Sequence, residues 1–245
     1  MKVTYIGHSG FSVELSGCVL LFDYYQGKLP VFAPEKALFV FVSHKHADHF
    51  QHGIFALAGE HPHVRYILSK DTKMSEKYRQ RIGIPEEAEG NIFYIGKNER
   101  MTCQAANAEV SVRTLESTDE GVAFVVEAEG KRIYHAGDLN WWTWPGEESE
   151  AEYRDMTRRF FDEMKKLENE ALDLAFVPLD PRQGERYDWG LDAFMRTVRA
   201  AVVFPMHFWE DYGVFDRFFS DPKTEPYRDR VRRIRRPGEV FELVL

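Results

Sequence analysis

Three imidazoles and a carboxylate fall within six residues in the run His44-Lys45-His46-Ala47-Asp48-His49. Imidazole is the commonest side-chain ligand of transition metals, and one ion rarely takes ligands from four such close neighbours. The spacing therefore points to two metal positions. In extended backbone His44 and His46 face the same way, because side chains alternate with a period of two. Asp48 and His49, past the end of the strand, turn toward a second position nearby. A His-rich surface loop is the bland alternative; the internal location and the apolar stretch Ala37 to Val42 just before it argue against that. A bound divalent ion acidifies water and polarises an electrophilic oxygen, so the chemistry implied is metal-assisted hydrolysis.

The elements that must position this stretch are legible around it. Val3 to Ile6, Phe11 to Leu15 and Cys18 to Phe22 alternate as an antiparallel meander with a turn at Ser16-Gly17. Ala37 to Val42 delivers the histidines, and Gln51 to Glu60 reads as a short helix behind them. Val64 to Leu68 is a strand, and Asp71 is the expected N-cap of a helix running to about Arg81. A second strand-rich run spans Ile92 to His135. The longest helix covers Ala151 to Glu170, with Tyr153, Met156, Phe160, Met164 and Leu167 as its buried face. Strand 174–177, helix 188–200 and strand 202–205 follow, and 240–244 closes as an edge or returning strand. This order predicts one domain over residues 1–245, with two packed sheets and helices outside.

Composition narrows the functional classes. A chain of 245 residues with 44% hydrophobic content is long enough for one substantial core. Net charge of −8 gives no general affinity for nucleic acid or acidic membrane surfaces. No apolar run approaches the roughly 20 residues needed to span a bilayer, and the N-terminus lacks a signal-peptide core. Cys18 and Cys103 both lie in apolar strand-like segments, so free buried thiols and a cytoplasmic setting are expected.

The run from His44 to His49 matches an HxHxDH signature, and the chain resembles the metallo-β-lactamase superfamily along essentially its whole length. That resemblance implies a four-layer αββα sandwich with a dinuclear site on one edge. It implies Zn²⁺ first, with Mn²⁺ or Fe²⁺ as alternatives. Asp23, after Leu20-Leu21-Phe22, is similar to the early aspartate that supports the histidine loop. Asp138, in Tyr134-His135-Ala136-Gly137-Asp138, is similar to the carboxylate that bridges two metals. His207, in Phe204-Pro205-Met206-His207, is similar to the late histidine of the second metal. The segments around His8 and His135 resemble the branch that includes L-ascorbate-6-phosphate lactonase. His8 is expected to support the site from behind the ligands or to be a satisfied strand-end histidine. His135 is expected to act with Asp48 at the substrate or to orient a ligand.

One position departs from the pattern. No histidine occurs between His63 and His135, where a third ligand of the first metal belongs. Glu116, beside Ser117, is the expected substitute and Asp119 the runner-up, since a carboxylate oxygen binds zinc at about the same distance as an imidazole nitrogen. Such a swap would favour harder ions. Trp141, Trp142 and Trp144 follow Asp138 and are expected to line the mouth, with cover of the sandwich edge or of a subunit interface as the alternative, so a homo-oligomer stays open. Asp180 and Arg182, on the loop after strand 174–177, are assigned to substrate binding, with support of a ligand as Asp180's other role; Arg182 or Arg186 would hold a carboxylate or phosphate, with a solvated loop charge as the bland alternative. The expected function is hydrolysis of a small-molecule ester, lactone or related substrate. The alternatives are a phosphodiesterase or nuclease, requiring basic residues around the cleft, and a degenerate metal-binding protein. The basic run Arg228 to Arg236 reads as a solvated face.

Overall fold

The computed structural model describes residues 1–244. Its first half opens with β1 (Lys2–Gly7), β2 (Gly10–Glu14) and β3 (Cys18–Phe22), the predicted antiparallel meander. β4 (Ala37–Val42) then pairs in parallel with β3, and β5 (Val64–Ser69) with β4. After two short helices, α1 (Glu76–Ile82) and α2 (Glu86–Glu89), β6 (Ile92–Ile95) closes that side. The second half supplies β7 (Arg100–Ala105), β8 (Ala108–Glu116), β9 (Val122–Ala128) and β10 (Lys131–His135), all antiparallel neighbours. Then α3 (Glu150–Lys165) leads to β11 (Ala171–Pro178), and α4 (Trp189–Thr197) to β12 (Arg199–Met206), both strands joining in parallel. A short α5 (Val214–Ser220) precedes β13 (Val240–Glu242), which returns to pair with β1.

The result is a seven-stranded sheet in the order β13-β1-β2-β3-β4-β5-β6 against a six-stranded sheet in the order β12-β11-β10-β9-β8-β7. Alternation within strands builds the layers. Leu20, Phe22, Phe39 and Phe41 point between the sheets, whereas Val19, Leu21, Leu38 and Val40 point outward. The outward set packs under Ile54, Phe55 and Ala58 of the 3₁₀ segment His52–Gly59, with Ala88 of α2. In β10 the inward His135 ring stacks on Phe22 at 5.0 Å, and the outward Tyr134 ring stacks on Phe194 of α4 at 5.4 Å. Helix, sheet, sheet and helix make the expected αββα order, held by apolar burial on three interfaces.

Some local expectations shift. Asp71 does not cap a helix: Ser75 caps α1 by accepting from Tyr78 N. The Asp71 carboxylate instead accepts the Lys45 amide at 3.0 Å and braces the histidine loop. α3 opens on a capping box between Ser149 and Glu152 and ends at Lys165, with Phe160 and Met164 buried as its periodicity requires. Cys18 and Cys103 are buried free thiols. Arg228 and Arg230 spend donors on the Phe219 and Ala200 carbonyls, and Arg233 and Arg235 pair with Asp216 and Glu239. Among the described residues, no helix is long and apolar enough to cross a membrane.

Candidate metal centre

The ends of four strands and one tight turn meet at a single edge of the sandwich. β4 ends at Val42 and releases His44, His46, Asp48 and His49; β10 ends at His135 and releases Asp138; β12 ends at Met206 and releases His207. Asp23 follows β3, and His8 sits in the turn between β1 and β2. Three of these residues hold left-handed backbone, His8 at φ 52°, Asp23 at φ 40° and His207 at φ 62°. Such conformations are uncommon outside glycine and cost about 1 kcal/mol or more each, so their gathering at one edge marks a functional site.

The side chains form two sets whose ligand-type atoms lie within 4.8 Å of one another: His8, Asp48, His49 and His207 in one, and His44, His46 and Asp138 in the other. Asp138 faces both. Its Oδ1 is 3.2 Å from His49 Nε2 and 3.5 Å from His207 Nε2, and its Oδ2 is 3.5 Å from His44 Nε2. Yet His8 Nε2, His44 Nε2, His49 Nε2 and Asp138 Oδ1 are buried without an aligned hydrogen bond. Stranding four such atoms in one space would cost about 1–3 kcal/mol each, and a cation there satisfies them all. The residues present fit divalent metal.

The far nitrogens explain why the Nε2 atoms point inward. Asp23, fully buried, accepts from His49 Nδ1 at 2.7 Å, from Ser43 Oγ at 2.6 Å and from Ser43 N at 2.8 Å. Ser43 Oγ therefore has no proton left for its other neighbour, His44 Nδ1 at 2.9 Å, which must be the donor. His207 Nδ1 donates to Asp180 Oδ2 at 3.0 Å. With a cation bound, each bond would fix the tautomer whose Nε2 lone pair faces the centre. Two glycines make room for this packing: a Cβ on Gly121 (φ +69°) would lie 2.0 Å from Ser43 O, and one on Gly137 (φ +52°) 2.7 Å from Ser43 Cβ.

The electrostatics follow from burial and neighbours. Burial, aided by His49, pushes the His44 pKa down to about 4, so its imidazole is neutral near pH 7. His49 is opposed by burial, but Asp138 and Asp23 outweigh it and hold its pKa well above the ordinary histidine value. Burial also works against the Asp138 carboxylate, yet His49 and His207 keep it well below the usual range. Asp119 is raised, by its own burial and then by repulsion from Asp138.

Several assignments from the sequence need correcting. Glu116 does not reach the centre: its carboxylate pairs with Lys97 Nζ at 2.9 Å on the surface. Asp119 does face the cleft, 3.8 Å from His46 Nδ1. His135 is no catalyst, because its ring is fully buried, its Nε2 donates to the Ser9 carbonyl at 2.9 Å and its Nδ1 accepts from Gly137 N at 3.2 Å. It ties the two sheets together. His8 stands among the ligand atoms rather than behind them, with Nε2 3.3 Å from Asp48 Oδ2. Trp141 packs flat over Phe160 of α3 and bonds Thr157, away from the mouth. Asp180 is fully buried and touches His207 and Arg182, so it positions them and does not meet substrate.

Beside the ligands opens a cleft of about 390 Å³, walled by Trp142, Trp144, Trp209, Met156 and Arg182. Ser43, Gly121 and Gly137 escaped the sequence reading, since only their distant partners reveal their roles. Met156, expected in the core, lines the cleft instead.

Relatives share this architecture. Residues 21–208 match the model of the β-lactamase superfamily domain. The chain is similar to a UPF0173 metal-dependent hydrolase from Alkaliphilus metalliredigens, 25% identical with 95% of this chain and 93% of the relative covered. A UPF0173 metal-dependent hydrolase from Opitutus terrae is 26% identical, with 99% of this chain and 100% of the relative covered. Among solved structures it is similar in fold to Igni18, a metallo hydrolase from Ignicoccus hospitalis (TM-score 0.58, 21% identity, 99% of both chains). It is likewise similar to the metallo-β-lactamase fold protein YhfI from Bacillus subtilis (TM-score 0.60, 14% identity, 98% of both chains). With its sandwich, its edge of histidines and carboxylates and these relatives, the chain belongs to the metallo-β-lactamase superfamily and is a metal-dependent hydrolase.

Proposed function

We propose that this hydrolase works with two divalent ions, Zn²⁺ in the first instance, on a small-molecule ester, lactone or related acyl substrate. The observation that carries the reading is the set of partnerless buried Nε2 atoms of His8, His44 and His49 around Asp138 Oδ1. One pole would be held by His8, Asp48, His49 and His207, the other by His44, His46 and Asp138, with Asp119 as the carboxylate beside the open side of His46. Asp138 would serve both, each oxygen toward one pole. Bound there, the ions would supply Lewis acidity and make hydroxide available near neutral pH.

The protein's own contribution is orientation. Asp23, Ser43 and Asp180 hold the imidazoles with lone pairs inward, so no reorganisation is needed during reaction. Asp48, partly exposed at the cleft, would orient the attacking water by accepting a hydrogen bond from it. Trp142 and Trp144 exclude bulk water from one side. Arg182 is the single Lys or Arg lining the cleft among the described residues, which favours a small molecule over a nucleic-acid strand.

Metal analysis tests the dinuclear reading first: the purified protein equilibrated with Zn²⁺ should hold two equivalents per chain, and Asp138→Ala should lose both metal and turnover. Lactone, thioester and bis-p-nitrophenyl phosphate substrates then separate acyl from phosphoryl transfer. Faster metal-dependent cleavage of the phosphodiester would reverse the substrate assignment, and full activity in Asp138→Ala would sink the dinuclear mechanism.

A further inference from the structure

We propose that the substrate carries an oxyanion on a flat, conjugated body, with Arg182 binding the anion and Trp144 and Trp209 holding the plane. This deepens the hydrolase reading and rests on it. The guanidinium of Arg182 is fixed on two sides. Its Nε and Nη2 bond the fully buried Asp180, Nη2 at 2.5 Å from Oδ2, and its face lies 4.4 Å from the centre of the Trp209 ring. The Trp144 ring centre lies 6.0 Å from the same guanidinium carbon. Its Nη1 makes no hydrogen bond among the described residues, and the side chain is 48% exposed along the cleft. An arginine needed only to neutralise Asp180 could bury its whole fork. This one keeps a planar donor edge open beside the ligand atoms.

Pre-organisation makes that edge effective. A guanidinium already held by stacking and a bidentate carboxylate loses little freedom when it binds a planar or tetrahedral oxyanion. Asp180 connects the grip to the reaction centre, because the same Oδ2 that accepts from Arg182 Nη2 accepts from His207 Nδ1. An anion on Arg182 is thus one carboxylate away from a ligand histidine.

The aromatic half rests on separate observations. Trp142 and Trp144 lie parallel, ring centres 6.1 Å apart and planes within 2°. Trp209 is 44% exposed, and its backbone is left-handed at φ 52°. The ring packs against His8 at 4.5 Å, His207 at 5.5 Å and the Arg182 guanidinium, and its remaining surface opens on the cleft at the cost of a backbone conformation worth about 1–2 kcal/mol. Stacked walls of this kind favour a flat ligand over a puckered one.

Calorimetric titration of the Zn²⁺-loaded protein tests the proposal without turnover, since the probes have no scissile acyl bond. The probes are 2-naphthoate, 2-naphthylphosphonate as a non-hydrolysable phosphate stand-in, the neutral 2-naphthylmethanol and the puckered cyclohexanecarboxylate. At least one naphthyl anion should bind about tenfold or more tighter than the alcohol, the gain of a charge-assisted pair. Whichever anion leads identifies carboxylate or phosphate as the recognised group. Arg182→Met should erase the preference and Arg182→Lys should keep part of it, with a thermal melt of each variant confirming the fold. Should Arg182→Met fail to fold, the Lys variant decides, because an unchanged preference there removes any role for the fork. Trp209→Leu should weaken 2-naphthoate more than cyclohexanecarboxylate, because both lose the ring that holds Arg182 but only the naphthyl probe also loses a stacking partner. Equal binding of alcohol and anions overturns the proposal. So does an anion preference that survives Arg182→Met, because the ions alone would then hold it. A protein that binds the naphthyl anions as expected yet cleaves none of the acyl substrates would keep the anion grip and remove the acyl-substrate reading, so the two failures are distinguishable.

Discussion

Ser43→Ala should weaken one metal position and spare the other. The substitution removes the Oγ contacts to Asp23 at 2.6 Å and His44 Nδ1 at 2.9 Å. Asp23 keeps the Ser43 amide and His49, so the pole built on His49 retains its support. His44 is fully buried and loses the acceptor of its Nδ1 proton. A stranded buried donor costs about 1–3 kcal/mol, and loss of a ligand's orienting partner weakens metal binding by about 10–100-fold. The two ranges agree, because tenfold is about 1.4 kcal/mol. Zn²⁺ competition against a chromophoric chelator, resolved into two binding events, measures the split. One event should stay at the wild-type value and the other weaken by about 10–100-fold. Asp23→Asn, by contrast, should weaken both. Equal shifts of both events in Ser43→Ala, or no shift at all, would refute the geometry of separate poles.

Three further outcomes follow from the same edge. Gly121→Ala, whose Cβ would fall 2.0 Å from Ser43 O and 2.5 Å from His44 Cβ, should cost about 2 kcal/mol or more in a denaturant melt and displace His44 enough to lower metal content. Glu116→Gln should leave metal content unchanged and alter stability by less than about 1 kcal/mol, since only an exposed ion pair with Lys97 is lost, whereas Asp119→Asn should reduce occupancy at the open pole. The pH dependence has a definite sign. With His49 raised, the metal-free fold gains stability that is full below the ordinary histidine pKa and disappears as pH climbs through the folded value. Metal must displace that proton, so titration in two buffers of different ionisation enthalpy at pH 7 should report net proton release, to which His49 contributes and the already neutral His44 does not.

The sandwich and the ligand order were legible in the sequence because each lies within a local pattern. His44 to His49, Asp138 and His207 all follow apolar runs, and a strand end releases its next residues to the sheet edge. What escaped depends on direction or on distant partners. Glu116 is the last residue of β8 and Asp119 stands in the turn beyond it, so the first meets Lys97 at the surface and the second reaches the cleft. The three tryptophans after Asp138 are alike in composition, yet Trp141 turns under α3 while its neighbours face the cleft. His135 and Asp138 stand three residues apart, but strand parity drives the imidazole between the sheets. His8 could not be placed, since its companions come from about 40 and 200 positions away along the chain.

The bond from His135 to the Ser9 carbonyl has a thermodynamic consequence. It crosses from β10 in one sheet to the turn between β1 and β2 in the other, one residue from His8. The half-sites are therefore parts of a single cooperative unit: neither sheet can peel away without pulling a ligand from the cluster. Loss of the ions and loss of the fold should be one transition in a thermal scan, its midpoint moving upward with free metal concentration by simple mass action. On the proposed reading, substrate and product would exchange through the cleft beside Trp209, with the two sheets staying together.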